Sequence, residues 1–81
     1  MFTWFELKDG RLLCLETGVI IELRRGESHC DVRYTYKGEQ PLYIFEGRKS
    51  RKSDFETVKK NGQDCFNRIK EHLGRKIVKA S

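Results

Sequence analysis

The sequence predicts an α+β domain: a five-stranded antiparallel β-meander with one C-terminal α-helix packed on one face. Residues 2–46 form short apolar or alternating segments separated by turns, and residues 53–73 have helical periodicity. The charge changes between these two parts. Residues 1–46 carry six Lys or Arg against eight Asp or Glu, whereas residues 47–81 carry eleven against four. The 81 residues suit one domain, which we place at 1–74.

Turn signals divide the first part into strands. Asp9-Gly10 lies between two apolar segments and is typical of a hairpin, because glycine accepts the positive φ of the turn. The only proline, Pro41, precedes the last strand, where a missing amide donor costs little. The five predicted strands are Phe2–Leu7, Arg11–Leu15, Val19–Arg24, Ser28–Tyr36 and Leu42–Glu46.

The strand at 28–36 has the clearest alternation, which predicts that one face is buried and the other is wet. The predicted core face carries Cys30, Val32, Tyr34 and Tyr36. The predicted wet face carries His29, Asp31, Arg33 and Thr35. Exposed tyrosines on a sheet are also a stacking platform for nucleic-acid bases. Because Tyr34 and Tyr36 share a face with two apolar residues, we place them in the core.

The second part predicts one amphipathic helix. Ser53 and Glu56 have the spacing of a capping box, and Asp54 suits the positive end of the helix dipole. The predicted inward stripe consists of Phe55, Val58, Cys65, Phe66, Ile69 and Leu73. Gly62 lies on this stripe, where it either permits close packing or splits the helix; the unbroken phase of the stripe favours one helix. Gly74 predicts the helix end, and we expect the basic tail at 75–81 to fray.

Composition narrows the class of protein. No segment approaches the roughly 18 apolar residues of a membrane span, and the N-terminus lacks the pattern of a secretory signal. We therefore expect a cytoplasmic protein without membrane association. Its three cysteines, Cys14, Cys30 and Cys65, are an odd number at wide spacing, so we expect reduced thiols.

Signals of enzymatic chemistry are missing from the sequence. The glycines occupy separate turns and form no phosphate-binding loop, and the carboxylates are scattered. His29 and Cys30 are adjacent in a strand, so their side chains point to opposite faces and are poorly placed to share a metal ion. The expectation is a non-enzymatic protein with no cofactor, no metal and no small-molecule substrate.

The strongest local feature is the basic segment of Arg48, Lys49, Arg51 and Lys52. Four cations in five residues suit the phosphates of a nucleic acid, because each contact releases counterions. The helix N-terminus that follows is an additional anion site. A basic loop that only keeps a small protein soluble has the same composition. The leading hypothesis is a small binding module that contacts nucleic acid, or another polyanion such as an acidic protein, through residues 48–52.

The alternative hypothesis is a protein-interaction or homo-oligomerisation module. Ile20 is predicted to point away from the helix, and with Phe2, Trp4 or Phe45 it would form an apolar patch for a second copy. An edge strand near Phe2 or Leu42 would also join two sheets in a homodimer.

The segment Phe5-Glu6-Leu7-Lys8-Asp9-Gly10-Arg11-Leu12-Leu13, followed by Glu16 and Val19-Ile20-Ile21-Glu22, resembles small uncharacterised bacterial and phage proteins. The resemblance implies their arrangement of a β-meander and a final helix, and it covers most of the chain. It brings no functional residue to this sequence. The basic linker at 47–52 is longer than in that pattern.

Overall fold

The structure is a computed structural model and describes residues 2–51, 54–74 and 77–79. It confirms the predicted fold class, with five antiparallel strands (β1–β5) followed by one helix (α1). A further strand, β6, follows the helix. The elements are β1 Trp4–Glu6, β2 Leu12–Cys14, β3 Ile20–Arg25, β4 His29–Thr35, β5 Leu42–Arg48, α1 Phe55–Leu73 and β6 Ile77–Lys79.

Strand β6 is the main departure from the predicted fold. It pairs in parallel with β1, with Trp4 opposite Ile77, and gives the sheet order β5-β4-β3-β2-β1-β6. The prediction that the tail frays is therefore wrong for residues 77–79, and the rest of the tail lies outside the described residues. Gly74, with φ 52, ends the helix in a backbone conformation that glycine tolerates. Ile77 then packs against the core, next to Trp4 of β1 in the strand register.

The helix lies on one face of the sheet, here called the inner face, and contacts β3, β4 and β5. Leu12 and Val32 on this face are fully buried beneath Phe66 of the helix. Cys14 and Cys30 are also buried. The helical stripe predicted from the sequence is confirmed, because its partly buried members pack against this cluster or lie beside it.

Two glycines permit the close approach of helix and sheet. A Cβ on Gly62 would lie 2.6 Å from Cys30 Sγ and 3.2 Å from Phe45 Cε1. A Cβ on Gly47 of β5 would collide with Val58. Gly62 does not divide the helix, which continues for 19 residues. The single helix predicted from the stripe is therefore confirmed.

The opposite, outer face of the sheet is a mixture of apolar and charged rows. Phe5, Leu13 and Ile20 are neighbours in one row and are half-buried. In the next row, Arg33 Nε lies 2.6 Å from Glu22 Oε1. Among the described residues, no helix has the length and apolarity that crossing a membrane requires.

Candidate functional site

The basic segment begins on the sheet itself. Strand β5 extends to Arg48, two residues beyond its predicted end, and Arg48 lies opposite His29 of β4. The backbone N–H of Lys49 donates a hydrogen bond of 2.8 Å to the Ser28 carbonyl. Arg51 is exposed in the following turn. Lys52, the fourth predicted site residue, lies outside the described residues.

Two arginines that sequence reasoning did not assign to the site lie at the same end of the sheet. Arg24 and Arg25 end strand β3, opposite Asp31 and Cys30 of β4. Because β3, β4 and β5 are adjacent, the strand register places these arginines two strands away from Arg48. We call Arg24, Arg25, Arg48, Lys49 and Arg51 the basic end. In the sequence these residues are visible only as an Arg24-Arg25 pair before a turn. The strand order is needed to show that they lie at the same end of the sheet as Arg48.

Four of the five cations of the basic end are exposed, and the fifth, Arg24, is half-buried. The Arg48 side chain is 79% exposed, and its Nη2 lies 3.4 Å from Glu46 Oε1, a loose contact. Arg25, Lys49 and Arg51 are also exposed. A shallow polar pocket of about 240 Å³ opens on the outer face beside Arg48. It is lined by Arg24, Ser28, His29, Asp31, Tyr43 and Arg48.

The helix N-terminus does not serve as the anion site that the sequence predicted. Its N-cap is Asp54, one residue after the predicted cap, Ser53, which lies outside the described residues. Asp54 Oδ1 accepts a hydrogen bond from the Glu56 N–H, and Oδ2 accepts one from the Thr57 hydroxyl. The chain's own carboxylate therefore occupies the position that an external anion would take.

The assignment of both tyrosines to the core is wrong for Tyr36. Tyr36 is 48% exposed and Tyr34 is only half-buried. The reason is the path of the helix, which crosses β4 near Cys30, where the Cys30 thiol lies 3.8 Å from the Lys59 carbonyl. The other end of β4, near Tyr34 and Tyr36, extends beyond the part of the sheet that the helix covers.

The uncovered end of β4 forms a cleft of about 630 Å³. This volume is within the range of ligand sites. The cleft is lined by Val19, Tyr34, Tyr36, Glu39, Gln40 and Leu42. One wall of the cleft is a tight turn, in which the Glu39 N–H donates a hydrogen bond of 2.9 Å to the Tyr36 carbonyl. Gly38 has φ 77, the positive value that the third residue of a type II turn requires.

The cleft and the basic end lie at opposite ends of the sheet. Arg48 is opposite His29, and Tyr36 is seven residues further along the same strand direction. At the usual rise of a β-strand the separation is roughly 23 Å. The fold therefore does not combine the tyrosines and the basic segment into one stacking surface.

Trp4 and Phe45 do not join Ile20 in the predicted apolar patch. Both pack against the inner-face core, whereas Ile20 lies on the outer face beside Leu13. Phe2 is 53% exposed but precedes strand β1. The edge near Phe2 is also not free, because β6 pairs with β1. The other edge, β5, carries a consecutive exposed run of Leu42, Tyr43 and Ile44.

The His29-Cys30 pair is separated by the sheet, as strand geometry requires. Cys30 is fully buried on the inner face, and burial raises the pKa of its thiol, although Arg25 and Lys59 act in the opposite direction. The thiol is therefore neutral at physiological pH and suits packing better than nucleophilic chemistry. The described residues contain no group of three or more His, Cys, Asp or Glu side chains placed to hold a metal ion.

No family model matches this sequence, and comparisons with curated proteins and with solved structures give no significant match.

Proposed function

We propose that this protein is a small non-enzymatic module that binds nucleic acid through its basic end. The observation that carries the proposal is the convergence of Arg24 and Arg25 with Arg48, Lys49 and Arg51 at one end of the sheet. Arg24 and Arg48 lie on the outer face and Arg25 lies on the inner face, so the cations surround the end of the sheet rather than cover one of its faces. Cations grouped in this way bind a phosphate backbone and release its counterions. A free inorganic anion offers too few charges to engage the whole surface.

The rigid attachment of the segment supports a binding role. Arg48 belongs to a paired strand, and the Lys49 backbone is bonded to Ser28. A ligand therefore meets cations whose backbone is already ordered, so less conformational entropy is lost on binding than with a flexible basic tail. Glu46 and the buried Asp31 reduce the local positive charge, which favours moderate affinity. The exposed cations make that affinity sensitive to salt.

The direct test is fluorescence anisotropy with labelled 20-nucleotide single-stranded DNA, duplex DNA and RNA at several salt concentrations. The test variant is R48S/K49S/R51S/K52S, and the matched control is K8S/K37S/K60S/R68S, which removes four exposed cations elsewhere. Both variants lower the net charge equally. We expect the test variant to lose about tenfold or more in affinity at low salt, with a shallower salt dependence, because several phosphate contacts disappear.

The control variant is expected to retain most of the wild-type affinity. Equal losses in both variants would show that only net charge matters, and absence of binding by the wild type at low salt would remove the proposal. Circular dichroism of both variants verifies that the sheet and helix persist.

Homo-oligomerisation is the second candidate, and the exposed run Leu42–Ile44 on edge strand β5 favours it. Light scattering over a range of concentrations tests this candidate. A salt-independent dimer that Tyr43→Lys converts to monomer would support it, whereas a monomer at all concentrations would exclude it.

A further inference from the structure

We propose that the cleft at the β4–β5 turn binds a lysine or arginine side chain of a partner protein, presented by an extended segment along strand β5. This site is separate from the basic end and does not depend on the nucleic-acid proposal. The cleft-lining residues are those given above, and we call them the tyrosine cleft.

The chemistry of the tyrosine cleft selects for a cation. Tyr34 and Tyr36 supply aromatic rings, which attract a cation through their quadrupoles. Glu39 supplies a carboxylate, and Gln40 supplies an amide oxygen. Among the described residues that line the cleft, none is Lys or Arg. Val19 and Leu42 give the apolar wall that the methylene chain of a lysine or arginine requires.

The same composition argues against a nucleic-acid strand in this cleft. A base stacked on the tyrosines would bring its phosphates close to the Glu39 carboxylate, which repels them. The cations of the basic end are roughly 23 Å away by strand geometry, too far to offset that repulsion across a Debye length of about 10 Å.

The position of the tyrosine cleft indicates a peptide as the source of the cation. Leu42 lines the cleft and also begins β5, which is the last strand on its side of the sheet. In the described part of the chain, β5 has a strand partner only on the β4 side. An extended peptide can therefore pair with the free backbone of β5 while one of its side chains enters the cleft.

The turn holds the two polar elements of the site in a fixed relation. Tyr36 and Glu39 are the first and last residues of the turn that the 2.9 Å backbone hydrogen bond closes. The backbone that carries the ring and the carboxylate is therefore already ordered, which lowers the entropic cost of binding.

The experiment uses the 81-residue protein and a fluorescein-labelled seven-residue peptide of alternating threonine and valine with a central lysine. Peptides with norleucine or glutamate in the central position are compared by fluorescence anisotropy. We expect the lysine peptide to bind about tenfold more tightly than the norleucine peptide, because a partly desolvated cation–π contact is reinforced by the carboxylate. The glutamate peptide is expected to bind most weakly.

Four variants test the assignment of residues. Glu39→Gln and Tyr36→Ala are each expected to weaken lysine-peptide binding about fivefold, whereas Tyr36→Phe keeps the ring and retains binding. Glu27→Gln removes an exposed carboxylate from the turn at the other end of the sheet and is the matched control. Tyr36 and Glu39 are exposed, so their substitution is compatible with folding.

Equal binding of the lysine and norleucine peptides would overturn the proposal, because it would indicate only strand pairing along β5. Identical behaviour of Glu39→Gln and Glu27→Gln would also overturn it. So would loss of oligonucleotide binding instead of peptide binding in Tyr36→Ala, since the tyrosines would then be a base-stacking surface.

Discussion

Gly62 shows how a single residue sets the distance between helix and sheet. In an exposed helix interior, replacing glycine with alanine stabilises the fold by about 1 kcal/mol, because glycine loses more backbone entropy. At Gly62 the added methyl group would lie 2.6 Å from Cys30 Sγ, and Cys30 is fully buried. The sulfur atom of a buried cysteine has little space to move. Steric cost therefore exceeds the gain in helix propensity here.

We expect Gly62→Ala to lower the free energy of unfolding by about 1 kcal/mol, because the usual cost of an overfilled core, about 1–3 kcal/mol, exceeds the propensity gain of about 1 kcal/mol. Urea unfolding measures this change. The double variant Gly62→Ala with Cys30→Ala should be more stable than the sum of the single effects predicts, because the sulfur that obstructs the methyl group is gone. Asn61→Ala, at the exposed neighbouring position, reports propensity alone and should stabilise slightly. A stabilising Gly62→Ala would contradict the argument.

At the scale of elements, β6 extends the sheet beyond β1 and adds Ile77 to the core. It protects the edge of β1, which has only three residues and would otherwise have one strand partner. Ile77 packs beside Trp4, the only tryptophan of the chain. A short strand of this kind gains stability from its apolar contacts more than from its backbone pairing alone.

We expect Ile77→Ala to cost about 1–2 kcal/mol in unfolding free energy, because a half-buried isoleucine loses part of its apolar contact area. The emission of Trp4 should shift to longer wavelength as water reaches the indole ring. Leu15→Ala removes a similar side chain that is 61% exposed, and it is the control. Thermal and urea unfolding with fluorescence detection measure both effects. Equal stability of the two variants would mean that β6 contributes little to the core.

The elements that the sequence predicted well are those with local signals. Alternation and turn residues located β1 to β5, and the apolar stripe located the helix. β6 was not predicted because its three residues are too few to show the alternation of a strand. It also depends on pairing with the edge of β1, which is distant in the sequence. The exposure of Tyr36 was not predicted for a related reason. Alternation indicates which face a side chain occupies, but it does not indicate which end of that face the helix covers.

The candidate sites also divide into parts with a local signal in the sequence and parts that depend on contacts between distant residues. Arg48, Lys49, Arg51 and Lys52 are visible as a basic run in the sequence, whereas Arg24 and Arg25 join them only through strand pairing. The tyrosine cleft depends on the helix path and on the turn at Gly38, so neither composition nor spacing revealed it.

At the scale of the whole molecule, α1 lies on the inner face of the sheet, and no helix covers the outer face in the part of the chain that the structure describes. The outer face is kept compatible with water by charged rows beside the apolar row of Phe5, Leu13 and Ile20. The central pair is Glu22 and Arg33, whose side chains are 19% and 24% exposed. The hydrogen bond from Arg33 to Glu22 raises the pKa of the arginine, so the guanidinium stays charged throughout the accessible pH range.

This arrangement predicts that the Glu22–Arg33 pair controls self-association more than it controls stability. Glu22→Leu alone leaves a partly buried guanidinium without its carboxylate and should cost about 1–2 kcal/mol in unfolding free energy. The double variant E22L/R33L should recover most of that loss, because apolar residues replace both charges. It should also form larger oligomers in light scattering, since the row beside Phe5, Leu13 and Ile20 is then apolar as well. The polar double variant E22Q/R33Q has the same net charge, and it should keep the oligomeric state of the wild type. If both double variants associate equally, loss of the ion pair itself would be the cause; if neither does, the outer face would not depend on these charges for its solubility.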